Sequence, residues 1–300
     1  MSRLGIAFAL LALVFGSLGS GAALAAPVDQ KSWTSLKKEV RLPSGLRIAY
    51  VETGNPKGEP LLLLHGYTDS SRSWSLLVPY LDRYRLLIPD QRGHGASDAP
   101  ACCYSQSQFA SDAVQFLDAM DVKRATVAGH SMGSMVAITM AAEHPGRVDK
   151  IILIGSTALA PVKRGDWLWT NTQGLAFPVD RKGQFYRDWH PGNQPQPVDP
   201  AFAEAAAEEV FGTAPHVWKA VIRELADLPI GRHAADVKAP VLILSGGKDP
   251  LFAAEHHAAL LRAFPGAGAK VYPAGGHNFN WEQPAEVAAD IAAFIGGSSP

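Results

Sequence analysis

Short apolar runs recur along the chain, each bounded by turn-forming residues. Residues 61–64 are four consecutive leucines between Pro60 and His65-Gly66. A run that short suits a strand buried on both faces of a parallel sheet rather than a helix. Runs of the same kind lie at 84–88, 125–128, 150–154, 241–244 and 269–272, and residues 47–52 form a further candidate strand before a Gly/Asn/Pro turn at 54–58. Between them the apolar spacing becomes helical. Phe109, Val114, Phe116, Leu117 and Met120 anchor a helix over 107–120, a second covers 132–143 up to Pro145-Gly146, and a last one covers 284–295. Strand and helix alternate, so the expected fold is α/β: a mostly parallel central sheet flanked by helices.

The alternation lapses between residues 157 and 236. That stretch holds no convincing strand, carries helical pieces at 199–211 and 214–228, and includes a Pro-rich linker at 191–200. It is expected to be a helical cap inserted between two parts of one core, residues 26–156 and 237–300. The first 25 residues stand apart. Arg3 precedes an uncharged apolar run over 4–15 and then small residues up to Ala26, the layout of a secretory signal peptide. Ala23 and Ala25 place cleavage after Ala25 or one residue later. The alternative, a retained anchor, is opposed by length, since a spanning helix needs ~20 apolar residues. The mature chain is expected to be exported, periplasmic or extracellular, without stable membrane insertion.

Composition adds little beyond this. Hydrophobic residues make up 47% of 300, enough for one large core, and 27 Lys plus Arg against 28 Asp plus Glu leave no net field to draw a nucleic acid or an anionic surface. A small, largely uncharged substrate is the expected partner. The two cysteines, Cys102 and Cys103, are adjacent. Cα atoms about 3.8 Å apart are closer than a bridge prefers. Export would favour a vicinal disulfide, and two loop thiols are the alternative; neither makes a metal site.

The candidate chemistry sits at strand ends. Gly129-His130-Ser131-Met132-Gly133 joins a predicted strand to a predicted helix, where a sharp turn exposes the Ser131 hydroxyl and aims the Met132 N–H at any negative charge developing there. A hydroxyl needs a base, and His277 follows Gly275-Gly276 after the last strand. The base needs a carboxylate to fix its tautomer, and Asp249 follows the strand at 241–244. A second donor for an oxyanion is expected from the Tyr67 N–H, in the loop where Gly66 lets the backbone approach closely. His256 and His257, on a predicted helix, are expected to face solvent.

These residues resemble the α/β-hydrolase superfamily, of the kind with a helical cap, over roughly residues 46–295. The order Ser131, Asp249, His277 is similar to the nucleophile, acid, base order of that family. The run from Asp90 to Asp98 resembles a structural loop there, which implies no catalytic role for His94, and Glu282-Gln283-Pro284 is also similar. Aspartate is the nucleophile in the epoxide hydrolases and haloalkane dehalogenases of this fold. Ser131 in that place implies instead acyl transfer to water, a carboxylesterase-like reaction without metal or organic cofactor. Perhydrolase or cofactor-free haloperoxidase-like activity, C–C or amide bond hydrolysis, and a non-enzymatic binding protein are the alternatives. Trp74, Trp167, Trp169, Phe177, Phe185, Tyr186 and Trp189 supply aromatic surface that either lines a pocket or packs the cap.

Overall fold

The computed structural model describes residues 28–226, 228 and 230–297. The expected signal peptide lies outside these residues. In chain order the elements are β1 (Lys38–Arg41), β2 (Arg47–Gly54), β3 (Pro60–Leu64), β4 (Arg85–Pro89), α1 (Gln106–Ala119), β5 (Ala125–His130), α2 (Met132–Glu143) and β6 (Val148–Ile154). Five helices follow: α3 (Trp167–Gly174), α4 (Gln184–Trp189), α5 (Pro200–Gly212), α6 (Pro215–Leu225) and α7 (Ile230–Asp236). The chain then returns to β7 (Val241–Gly246), α8 (Ala254–Ala263), β8 (Gly268–Tyr272), α9 (Phe279–Glu282) and α10 (Pro284–Ile295).

The strands form one eight-stranded sheet in the order β1-β2-β4-β3-β5-β6-β7-β8. Strand β2 runs antiparallel to β1 and β4, and the remaining pairs are parallel. The expected α/β architecture is the one observed. The leucine run shows why a two-faced strand reads as continuous hydrophobicity. Leu61 and Leu63 point into one core with Leu86, Ile88, Ile152 and Leu244, and Leu62 and Leu64 point into the other with Val127, Ile151, Leu153 and Ile243. Each fully buried side chain of this size stabilises the fold by about 1.5–3 kcal/mol. Strand β1 was not expected. Its sequence Lys-Glu-Val-Arg is largely exposed at the sheet edge, so it carries no apolar signal.

No strand falls between β6 and β7 among the described residues. Helix α6 buries one stripe, Val217, Trp218, Val221, Ile222 and Leu225, against the same core that holds α1 and α2. Helix α7 packs on α2. No helix of the described residues is long and apolar enough to cross a membrane. Cys102 and Cys103 are joined as a vicinal disulfide in the loop between β4 and α1.

Candidate active site

Parallel strands all end on one side, so the loops after β3, β5, β7 and β8 meet there. Ser131 follows β5 with φ 51° and ψ −120°, a conformation that costs a non-glycine residue about 1–3 kcal/mol. Its backbone is held on both sides: its N–H donates to the Ile154 carbonyl at 2.9 Å, and its carbonyl accepts from the Ser134 N–H at 2.9 Å. The flanking glycines are sterically required. A Cβ on Gly129 would lie 2.2 Å from the Gly133 carbonyl oxygen, and one on Gly133 would lie 2.2 Å from that of Leu64.

The three residues expected to act together converge. The His277 Nδ1–H donates to Asp249 Oδ2 at 2.7 Å, which leaves Nε2 to accept the Ser131 hydroxyl at 2.9 Å. Asp249 Oδ1 accepts from the N–H groups of Leu251 and Phe252, at 2.8 and 2.9 Å. Burial alone would raise the Asp249 pKa. The facing His277 and these two amides outweigh it and hold the carboxyl below its ordinary range. The loop carrying His277 is pinned by Glu282, which accepts the Gly276 N–H, and by the Lys248 N–H, which donates to the Gly275 carbonyl. Glu282, the first residue of the Glu-Gln-Pro run, therefore positions the histidine loop.

The backbone N–H groups of Tyr67 and Met132 take part in no hydrogen bond among the described residues, and both residues line the cavity that contains Ser131. The Tyr67 side chain points away from this task, its hydroxyl donating to the Trp218 carbonyl at 2.7 Å. The cavity has a volume of about 700 Å³. Met132, Met135, Val162, Leu168, Leu225, Leu251 and Phe252 contribute apolar wall, and Asn193, Gln194 and Asn278 contribute polar wall. Of the aromatic residues singled out in the sequence, Trp167 and Trp189 line it, whereas Trp74 is fully buried in the core on the opposite sheet face from Leu62 and Leu64.

Several histidines have other work. His65 is buried between the Gly66 carbonyl and the Gln91 N–H, and burial lowers its pKa to about 3. His94 donates to the Arg92 carbonyl and is likewise lowered by burial, to about 4. His256 and His257 do not face solvent freely: they are half-buried and hydrogen-bonded to Thr157 and Ser245, because α8 lies against the loop after β6 and the end of β7. Among the described residues no cluster of His, Cys, Asp or Glu has the form of a metal site.

Two residues of the cavity wall were missed in the sequence, Asp69 and His130. The His130 Nε2–H donates to the His277 carbonyl at 3.1 Å, its ring lies 5.2 Å from that of His277, and its Nδ1 faces Asp69 Oδ2 at 3.9 Å. The position next to Ser131 is the only sequence signal for His130. Asp69, within a Thr-Asp-Ser-Ser run, carries the signal of a turn.

Known proteins agree with this architecture. The sequence matches the family described as the alpha/beta hydrolase fold over residues 59–284. An uncharacterized protein of Mycobacterium bovis is 35% identical over 119 residues, which is 39% of this chain and 34% of the relative; the match thus spans about a third of that protein's length. The non-heme chloroperoxidase of Streptomyces lividans is 32% identical over 161 residues, 50% of this chain and 57% of that protein. Among solved structures, the esterase RhEst1 from Rhodococcus sp. ECU1013 superposes with a TM-score of 0.71 at 26% identity, covering 87% of this chain and 99% of its own. From its sheet order, its strand-end loops and this match over most of its length, the chain belongs to the alpha/beta hydrolase fold family.

Proposed function

We propose that the protein is a serine hydrolase that cleaves a carboxylic ester, or a related acyl bond, of a small molecule through an acyl-enzyme. The observation that carries this reading is the unbroken chain from Ser131 through His277 to Asp249, at 2.9 and 2.7 Å, beside two uncommitted backbone N–H groups. His277 Nε2 takes the Ser131 proton as Oγ attacks the carbonyl carbon. The resulting oxyanion is stabilised by the Tyr67 and Met132 N–H groups. Collapse expels the alcohol, which receives the proton from His277. Water then attacks the acyl carbon, His277 accepts its proton, and the acid leaves as Ser131 regains its hydrogen. Asp249 holds the imidazole in the required tautomer throughout.

The helices between β6 and β7 act in this reading as a cap, supported by the cavity residues they contribute. Export completes the proposal, supported by the charge, apolar and small-residue pattern of the first 25 residues.

The test is hydrolysis of p-nitrophenyl esters of increasing acyl length, in chelator, by the protein and by Ser131→Ala. The protein should turn over the series and the variant should retain at most about 10⁻³ of the rate. Equal rates in both would remove Ser131 as nucleophile. A second reading, in which peroxide instead of water takes the acyl group, is favoured by the likeness to the Streptomyces chloroperoxidase. Peroxide-dependent halogenation in acetate buffer, absent from Ser131→Ala, would select it.

A further inference from the structure

The cavity over Ser131 is acidic as well as apolar. Asp69, Asp166 and Asp188 line it, and no Lys or Arg does so among the described residues. Two of these carboxylates immediately precede indoles, as Asp166-Trp167 at the start of α3 and Asp188-Trp189 at the end of α4. Trp167 and Trp189 line the same cavity with ring centroids 6.3 Å apart and planes 27° from parallel, and Phe185 stacks on both at 5.8 and 6.2 Å. Trp167 is 45% exposed, so part of its surface is open to a ligand. The Arg164 guanidinium, on the same loop as Asp166, lies over the Trp169 ring at 4.9 Å and is not among the lining groups.

A second observation points to a ligand. His130 is 1% exposed and lines the cavity, and its Nδ1 has no hydrogen-bond partner among the described residues. Because Nε2–H is spent on the His277 carbonyl, Nδ1 presents a lone pair, so it too is an acceptor. On this wall the carboxylates are therefore matched by no Lys or Arg among the described residues, and the Tyr67 and Met132 N–H groups and the amides of Asn193, Gln194 and Asn278 are neutral donors. A carboxylate or phosphate entering here would lose hydration and gain no counter-charge. An ammonium group gains both Coulombic attraction to the Asp166 and Asp188 carboxylates and contact with the negative faces of the indoles.

Resting on the reading of Ser131 as an ester-cleaving nucleophile, we propose that the cavity binds the ammonium-bearing end of a cationic ester against Asp166, Asp188, Trp167 and Trp189, and rejects anionic esters. The two indole-carboxylate pairs belong to different helices of the segment between β6 and β7, so the selectivity is set there and not by the residues at the strand ends.

Three thioesters sharing one butyryl group test this, with thiol release as the readout: butyrylthiocholine, its uncharged isostere S-(3,3-dimethylbutyl) thiobutyrate, and S-(2-carboxyethyl) thiobutyrate. At low salt, kcat/KM should fall in that order, with the cationic ester roughly 10-fold above its isostere. The preference should shrink in 0.5 M salt, where the Debye length drops to about 4 Å. In Asp166→Asn/Asp188→Asn the cationic-to-uncharged ratio should fall toward one, a ratio that does not depend on the amount of folded protein. Equal kcat/KM on all three esters, or an unchanged ratio in the double variant, overturns the cation site. If p-nitrophenyl butyrate is cleaved in those experiments the hydrolase reading stands without the cation site; if no ester is cleaved, the hydrolase reading itself fails.

Discussion

Asp69 sits where a carboxylate is poorly tolerated. A Cβ placed on Gly66 would lie 2.8 Å from Asp69 Oδ2 and 3.3 Å from the Ser131 Cβ, so the carboxyl borders the proposed nucleophile. Burial raises its pKa to about 7, an effect that His277 opposes and the charge of Glu209 reinforces. The sign for stability follows. The unfolded chain ionises Asp69 near 3.9, whereas the folded chain resists ionisation until about 7, so stability falls as pH rises through that window and levels off above it. Asp69→Asn should therefore melt higher than the natural protein at pH 8, with the difference narrowing as the pH falls through 5 and closing only near the unfolded pKa; equal melting temperatures at pH 8 and at pH 5 would contradict this. The convergence of Ser131, Asp249 and His277 was legible in the sequence because each follows a strand inside a Gly-rich turn, where local pattern and proposed role coincide. Asp69 and His130 were not, because their meaning arises only when the loop after β3 closes against the end of β5.

The loop after β3 is held mainly by elements distant in sequence. The Tyr67 hydroxyl donates to the Trp218 carbonyl on α6, the Trp189 indole N–H on α4 donates to Thr68 at 3.1 Å, and Ser70 bonds Glu209 on α5. Arg72 pairs with the same Glu209 at 2.6 Å, and Lys37 bridges Asp90 at 2.7 Å and Glu209 at 3.7 Å. Within this cluster Asp90 is held below the ordinary carboxylate range, because Lys37 and the N–H groups of Ala96 and Ser71 outweigh its burial. Removing one member leaves a buried cation without its partner. Glu209→Gln should lower stability by about 3 kcal/mol, read as a shifted urea midpoint at unchanged m. It should also lower kcat/KM, because the Tyr67 amide loses its support. A midpoint within error of the natural protein would show that the clamp carries no energy. Three of the elements that escaped the sequence have little apolar period: α3 and α4 have eight and six residues, most of them partly exposed, and β1 is a polar edge strand. Helices α2 and α10 were legible end to end because a long apolar stretch in α2 and helical apolar spacing in α10 each meet a Pro boundary.

At the scale of the whole molecule, the parallel sheet brings the site together. Loops separated by up to 212 positions, from His65 to His277, meet only because β3, β5, β7 and β8 run the same way and end on the same side. The continuous apolar strands made that topology legible. The charge and shape of the cavity were not, since they depend on how α3 to α6 fold over the strand ends. The central claim is that this convergence activates one hydroxyl, and covalent labelling measures that directly. Incubated with a fluorophosphonate and mapped by mass spectrometry, the protein should gain one phosphonyl group per chain on Ser131, losing ester hydrolysis in step, and Ser131→Ala and His277→Ala should gain none. Hydrolysis that persists in fully labelled protein, or a label on another residue, would contradict the account.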